Sequence, residues 1–166
     1  KQLAENQAVL GERDRRIEEL QGQIQSLTEK TTENTLIWRE RIRRVQEENE
    51  KLRSFKVCVV GCGGLGGYVI EMLGRLGIGM ITAVDGDVFD ETNLNRQLLS
   101  SEDIIGKSKA EAAKERMKKV NSDITVHPVP EFVTEETCCR IIEGHDLVVD
   151  ALDNMASRKL LEAGCE

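Results

Sequence analysis

The sequence predicts an α/β protein: a Rossmann-like parallel sheet with helices on both faces, preceded by a long coiled-coil-like N-terminal α-helix. Three observations carry this prediction. From Ser54 onward, short β-rich runs alternate with amphipathic segments, a pattern that folds as a parallel sheet covered on both faces. A glycine cluster in "VVGCGGLGGYVIEMLGRLGIGMITAVDGD" (Val59–Asp87) sits where the first strand should pass into the first helix of that domain. Residues 1 to about 52 contain no proline and are rich in Glu, Gln, Lys and Arg, with mostly apolar residues recurring every seven positions.

The heptad positions are Leu3, Leu10, Ile17, Ile24, Thr31, Trp38, Val45 and Leu52. Three residues on, the second seam reads Asn6, Arg13, Leu20, Leu27, Asn34, Arg41 and Glu48, so only Ile17 to Leu27 fills both seams with apolar side chains. A helix of this length would extend about 75 Å at 1.5 Å per residue. It cannot bury its own stripe, so the expected partner is a second helix, most simply from another copy of the chain, giving a homodimer. A plain solvated helix, interrupted around "TEKTTENT", is the competing reading.

In the second region (53–166), "FKVCVV" is a short buried strand. "LGGYVIEMLGRLG" is a helix, with Leu65, Val69, Met72, Leu73 and Leu76 expected on its buried face and Gly77 as its stop. "MITAVD" is a second strand, "KSKAEAAKERMKKVN" an amphipathic helix and "ITVHPVP" a third strand. "TEETCCRIIEG" is a helix with Thr134 expected as N-cap, "DLVVDAL" a fourth strand and "ASRKLLEAGCE" the start of another helix.

Bulk properties exclude several classes. A net charge of −7 and a pI near 5.1 disfavour a nucleic-acid role, which wants a basic surface. No apolar run approaches the roughly 20 residues of a membrane span, and "KQLAENQAVLGERDRR" lacks a signal-peptide core, so a cytoplasmic protein is expected. The five cysteines (Cys58, Cys62, Cys138, Cys139, Cys165) form no C-x-x-C pair, which argues against a disulfide framework or a zinc site. His127 and His145 have no ligand partners at metal spacing. Cys58, Cys138 and Cys139 are expected to pack, and Cys62 to fill space within the glycine loop.

Gly61, Gly63 and Gly66 satisfy G-x-G-x-x-G between a predicted strand and a predicted helix. In such loops the first glycine permits the tight turn, the second admits phosphate oxygens to backbone N–H groups, and the third lets helix and strand pack closely. The helix N-terminus adds about half a positive charge. Asp85 follows Gly66 by 19 residues, where an acceptor for a ribose hydroxyl is expected. The default owner of this fingerprint is an NAD-dependent oxidoreductase, but three features point elsewhere. "DGDVFDETNLNRQ" adds Asp87, Asn93, Asn95, Arg96 and Gln97. "GKSKAEAA" puts Lys107 and Lys109 at a helix N-terminus, where cations are unfavourable unless they answer an external anion. "VVDALDN" delivers Asp153 and Asn154 to the ligand-binding edge of the sheet. Arginine, lysine and aspartate around one phosphate site suit a triphosphate with magnesium.

"VVGCGGLGG", "VDGD", "TNLNRQ", "GKSKAEAA" and "ALDN", in this order, resemble the ThiF/MoeB/HesA family of adenylyltransferases, which are similar to the adenylation domains of ubiquitin-activating enzymes. The resemblance runs from about Phe55 to the C-terminus. It implies ATP and Mg²⁺ as cofactors and a ubiquitin-like sulfur-carrier protein as partner, its C-terminal carboxylate converted to an acyl-adenylate with release of pyrophosphate. It also implies Gly64 in the loop over the nucleotide and Asp85 on the ribose. Asn93 and Arg96 would be on the phosphates with Lys109 on the same charge, Asp153 on magnesium and Asn154 beside it. Asp87 and Gln97 take supporting roles, and Arg96, Lys109 and Asp153 are the expected catalytic groups.

The chain departs from the family pattern in two places. The arginine-bearing segment that precedes the first strand in the family is replaced by "IWRERIRRVQEENEKLRS", in which Arg39, Arg41, Arg43 and Arg44 match no motif. The chain stops at "LLEAGCE", before the catalytic-cysteine region and the C-x-x-C zinc site common in the family, so a C-terminally truncated domain is expected. A tRNA-modifying dehydratase of the same family, a non-catalytic nucleotide-binding assembly module and the oxidoreductase are the alternatives.

Overall fold

A computed structural model of the chain describes residues 2–165, with side chains from Leu10 to Cys165. The seam positions Leu3 and Asn6 therefore lie outside the described side chains. The chain divides into two compact units, Lys1–Glu47 and Glu48–Glu166. Helix α1 runs from Gln2 to Ser54. It is unbroken through "TEKTTENT", where Thr28, Thr31, Thr32 and Thr35 each donate their hydroxyl to the carbonyl four residues back, at 2.8 Å. Back-bonding of this kind satisfies polar β-branched residues inside a helix without breaking it. The apolar seam Ile17, Leu20, Ile24, Leu27, Trp38 and Val45 is exposed.

The second unit builds a four-stranded parallel sheet from β1 (Lys56–Val60), β2 (Met80–Val84), β3 (Thr125–Val129) and β4 (Leu147–Asp150), in the order β3-β2-β1-β4. Helices α2 (Gly64–Leu76), α3 (Lys109–Val120), α4 (Cys138–Ile142) and α5 (Met155–Gly164) complete it. Strand alternation divides the core into two layers. Val57, Val59, Ile81 and Ala83 face α2 and α3 through Ile70, Ala113 and Met117. Cys58, Val60 and Val84 face α4 and α5 through Cys138, Ile141 and Leu161. Because both faces are covered, these strands are continuous apolar runs. The chain winds β1 to β2 to β3 on one side and returns to β4 on the other side of β1, which opens a crevice at the carboxyl ends of the strands.

The buried face of α2 corrects the expectation from its large apolar residues. Leu65, Met72 and Leu76 are exposed, Val69 and Leu73 are only partly buried, and the inward positions are Gly66, Gly67, Ile70, Glu71 and Gly74. Close backbone approach sets this face. A Cβ on Gly66 would stand 1.7 Å from the Gly61 carbonyl oxygen, and one on Gly74 would stand 2.5 Å from Met117 Sδ. Glu71, inward among these glycines, is held by two guanidiniums: Arg116 donates at 2.8 and 2.9 Å, and Arg75 at 2.6 and 3.0 Å.

Two smaller expectations also change. Helix α4 begins at Cys138 rather than just after Thr134. Thr134 instead caps the turn before it, its hydroxyl accepting the Thr137 N–H at 3.3 Å and its carbonyl accepting that of Cys138 at 2.9 Å. Cys139 is exposed on this short helix, while Cys58, Cys62 and Cys138 are buried as expected. His145 is a structural residue. Its Nδ1 donates to the Ile142 carbonyl at 3.1 Å, and its Nε2 lies 2.7 Å from the Thr82 hydroxyl.

Candidate functional site

The crevice at the carboxyl ends of the strands holds a cleft of about 390 Å³. The loops after β1, β2 and β4 bring Gly61, Gly63, Gly64, Asp85, Asp87, Arg96, Gln97, Lys109, Asp153 and Asn154 to its wall. Two of the sequence-predicted residues, Gly66 and Asn93, are not in the lining. Gly66 serves close packing beneath the loop. Asn93 is buried, and its side-chain oxygen accepts the Asp90 N–H at 3.1 Å in a capping box.

The glycines of the loop divide into two kinds. Gly61 has φ +99°, and a Cβ there would meet the Ala151 carbonyl oxygen at 2.6 Å, so with Gly66 it is explained by the chain's own packing. Gly63 and Gly64 are not. A Cβ on either would make only ordinary contacts, with Gln97 Nε2 at 3.7 Å and the Arg96 carbonyl oxygen at 3.9 Å. Bare backbone facing open cleft at a helix N-terminus is suited to a close-approaching anion.

Asp85 has structural work that the sequence did not reveal. One carboxylate oxygen accepts the Cys62 N–H at 2.7 Å and the other accepts the Asp87 N–H at 2.8 Å, tying the glycine loop to the end of β2. Each oxygen keeps a lone pair for a further donor. Cys62 beneath it is inert: burial pushes its thiol up, and the Asp85 charge adds to that shift.

Lys109 reaches the cleft because the loop before α3 folds back on the segment after β2. Val88 pairs with Ser108, the Phe89 N–H donates to the Lys107 carbonyl at 2.9 Å, and the Lys109 N–H donates to the Asp87 carbonyl at 3.0 Å. Ser108 caps α3 by accepting the Glu111 N–H. The Lys109 side chain is buried and its ammonium lies 3.2 Å from the Asp87 carboxylate, which is itself exposed. Arg96 is exposed and donates to the Thr92 carbonyl at 2.7 Å and to Asn95 at 3.0 Å. Asn154 is the N-cap of α5, accepting the Ser157 N–H at 2.8 Å, so the adjacent Asp153 is not needed as a cap. Among the described residues Asp153 makes no ion pair or hydrogen bond.

Gln97 is buried, and its Oε1 is the one buried side-chain oxygen or nitrogen without a partner among the described residues. An orphaned acceptor in a cleft wall is costly unless a ligand answers it. Leu65, Gly86, Leu152 and Ser157 also line the wall, with Glu131, Phe132 and Val133 from the segment after β3. Glu131, Phe132 and Val133 were not anticipated from the sequence; their only signal was position, since "PEFVT" directly follows β3 at the same sheet edge that carries the motifs.

The residues fit ATP with magnesium: an open glycine loop, two cations, a carboxylate with spare lone pairs at the end of β2, an unpaired acid and an orphaned amide. They do not fit zinc, since no group of three His, Cys, Asp or Glu able to hold a metal occurs among the described residues.

Comparison with known proteins gives the chain's family. The tRNA threonylcarbamoyladenosine dehydratase of Haemophilus influenzae is 40% identical over 117 residues, covering 70% of this chain and 45% of that protein. The molybdopterin-synthase adenylyltransferase of Salmonella typhimurium is 38% identical over 119 residues, covering 72% and 48%. The SAMP-activating enzyme E1 of Haloferax volcanii is 40% identical over 119 residues, covering 72% and 44%. The crystal structure of the E. coli tRNA N6-threonylcarbamoyladenosine dehydratase in complex with ATP superimposes with a TM-score of 0.69 at 36% identity, over 72% of this chain and 49% of that one. The chain thus spans about half the length of the relatives it matches. The ThiF family itself matches residues 39–166, and the chain belongs to that family.

Proposed function

We propose that residues 53–166 form the nucleotide-binding part of an ATP-dependent adenylyltransferase that activates the C-terminal carboxylate of a ubiquitin-like or sulfur-carrier protein, and that residues 1–52 form a long helix of which only the last part, from residue 39, falls within the family match. The observation that carries this reading is the meeting of Arg96, Lys109 and Asp153 in one cleft with the open backbone of Gly63 and Gly64. The adenylyltransferase and SAMP-activating relatives support the reaction class.

The chemistry asks little of a base. An α-carboxyl group has a pKa near 3.5, so the attacking carboxylate is already ionised at neutral pH. The obstacle is bringing this anion to the α-phosphorus of a polyanion, and the chain's task is to position the two and neutralise charge. Arg96 and Lys109 hold the phosphates, with Lys109 exchanging its resting partner Asp87 for phosphate oxygen. The N–H groups of the glycine loop face the same oxygens. Asp85 keeps its two loop bonds and accepts a ribose hydroxyl on a remaining lone pair. Asp153, with Asn154 beside it, would hold magnesium, an ion commonly bound by one or two carboxylates together with substrate phosphates, and the ion would supply further neutralisation of phosphate charge. Asn93 acts at one remove, fixing the turn that carries Arg96. The product is the carrier's acyl-adenylate, with pyrophosphate released.

Arg96→Ala tests the assignment. Its side chain bonds only to its own loop, so the variant should keep the thermal stability of the parent. ATP–pyrophosphate exchange with carrier protein should fall by at least roughly 100-fold, about 2.7 kcal/mol of transition-state stabilisation. Unchanged exchange would remove Arg96 from the mechanism.

A second reading deserves a test because the Haemophilus and E. coli dehydratases are as similar to this chain as the adenylyltransferases are. Under it the activated carboxylate belongs to tRNA-borne threonylcarbamoyladenosine. Loss of water from that nucleoside on incubation with ATP, with no exchange on carrier protein, would establish it. The net charge of −7 favours the protein carrier.

A further inference from the structure

The chain has three phenylalanines, and the fold leaves Phe132 62% exposed at the wall of the cleft. The backbone that carries it is held from several directions. Val133 is buried in the core layer against α4 and α5. Glu131 pairs with Arg140 at 2.6 Å, and the Thr137 hydroxyl donates to the Phe132 carbonyl at 3.0 Å. An apolar ring is therefore presented to the cleft on fixed supports.

The placement of the ring is specific. A Cβ built on Gly86 would lie 2.6 Å from Cδ2, 2.6 Å from Cγ and 2.7 Å from Cε2 of Phe132. Three ring atoms are equidistant only from points on the axis through the ring centre, so Gly86 covers one face of the ring and does not touch its edge. Gly86 does not have positive φ. The three atoms nearest to a Cβ there all belong to the ring, so the ring is the first group an added methyl would meet. Gly86 lies between Asp85 and Asp87, so the ring is fixed beside the carboxylate proposed for the ribose. The glycine loop, Arg96 and Lys109 supply the charged part of the same cleft.

We infer that Phe132 is the platform on which the nucleotide's base stacks, and that Gly86 is glycine so that the ring can lie there. The inference rests on the nucleotide-binding reading above and names the specificity-determining residue within it. Stacking on a π-face selects by ring area rather than by hydrogen-bond pattern, so purine triphosphates should bind more tightly than pyrimidine ones.

The test is calorimetric titration of the full chain with ATP, CTP and inorganic tripolyphosphate, together with 2-aminopurine riboside triphosphate, whose emission is quenched on stacking. Phe132→Ala should weaken ATP binding roughly 5- to 150-fold, narrow the gap between ATP and CTP, and abolish the quenching, while tripolyphosphate binds as before. Phe132→Trp should retain both affinity and quenching. Gly86→Ala should reproduce the loss, and adding it to Phe132→Ala should cost nothing more, because both changes remove the same platform. ATP binding and quenching unchanged in Phe132→Ala would overturn this inference alone. Failure of ATP and tripolyphosphate to bind the parent chain would overturn it together with the proposed function.

Discussion

Gly63 and Gly66 lie three residues apart in one motif, yet they answer to different demands. Gly66 is fixed by the fold: a methyl group there would overlap the Gly61 carbonyl oxygen. Gly66→Ala should therefore destabilise the domain by at least about 2 kcal/mol, read as a lowered urea midpoint. Gly63 has φ −76° and room for a methyl group. Gly63→Ala should keep stability within about 1 kcal/mol while weakening ATP binding at least roughly tenfold, about 1.4 kcal/mol. Equal effects of the two substitutions on stability would show that the loop is bare for packing alone. The sequence placed both glycines correctly at a strand-to-helix turn. It could not tell which the fold itself keeps bare and which it leaves room beside, because that depends on Gly61, Ala151, Gln97 and Arg96, which the folded chain brings around them. Asp85 is a similar case: its spacing announced a ligand role, and only the folded loop showed that it also secures the Cys62 and Asp87 N–H groups.

Among the elements, α2 and α3 are joined by the Glu71 carboxylate between Arg116 and Arg75. Hydrogen bonding from Arg116, with a further contribution from Arg75, lowers the Glu71 pKa from 4.5 to about 2 despite its burial. A carboxylate with a depressed folded-state pKa stabilises in full above its unfolded value and loses that contribution as pH falls through the folded one. The Glu71 contribution is thus present above about pH 4.5 and disappears between there and pH 2. The Arg75 and Arg116 side chains are 60% and 42% exposed, so solvent screening reduces it to roughly 1 kcal/mol. Urea unfolding at pH 7 and pH 3 should show this loss in the parent chain, and Glu71→Gln should shrink the difference. An unaltered acid limb would assign it to other carboxylates. The helix itself was legible from its periodicity and its Gly77 stop, whose φ of +89° ends it as predicted. Its orientation was not, because glycines carry no hydrophobic signal although they permit the closest packing.

At the scale of the whole molecule, α1 exposes an apolar seam that its own unit does not cover. The intrahelical pairs of Arg43 with Glu40 and Glu47 are exposed as well, so water and salt screen them. A parallel two-stranded coiled coil would bury the seam. The full chain should then sediment as a dimer, and a chain beginning at Glu48, where the compact α/β unit starts, as a monomer. An unchanged oligomeric state on removing residues 1–47 would exclude α1 as the dimerising element.

By itself the sequence determined the α/β class, the order of strands and helices and the motifs that form the cleft, because periodicity, turn glycines and acid placement act over a few residues. The tertiary structure alone decided which face of α2 turns inward, that Asn93 braces a turn outside the cleft wall, and that Phe132 enters it. Those outcomes depend on contacts between segments distant in the chain, where close backbone approach and the fit of one ring over one glycine outweigh local preference.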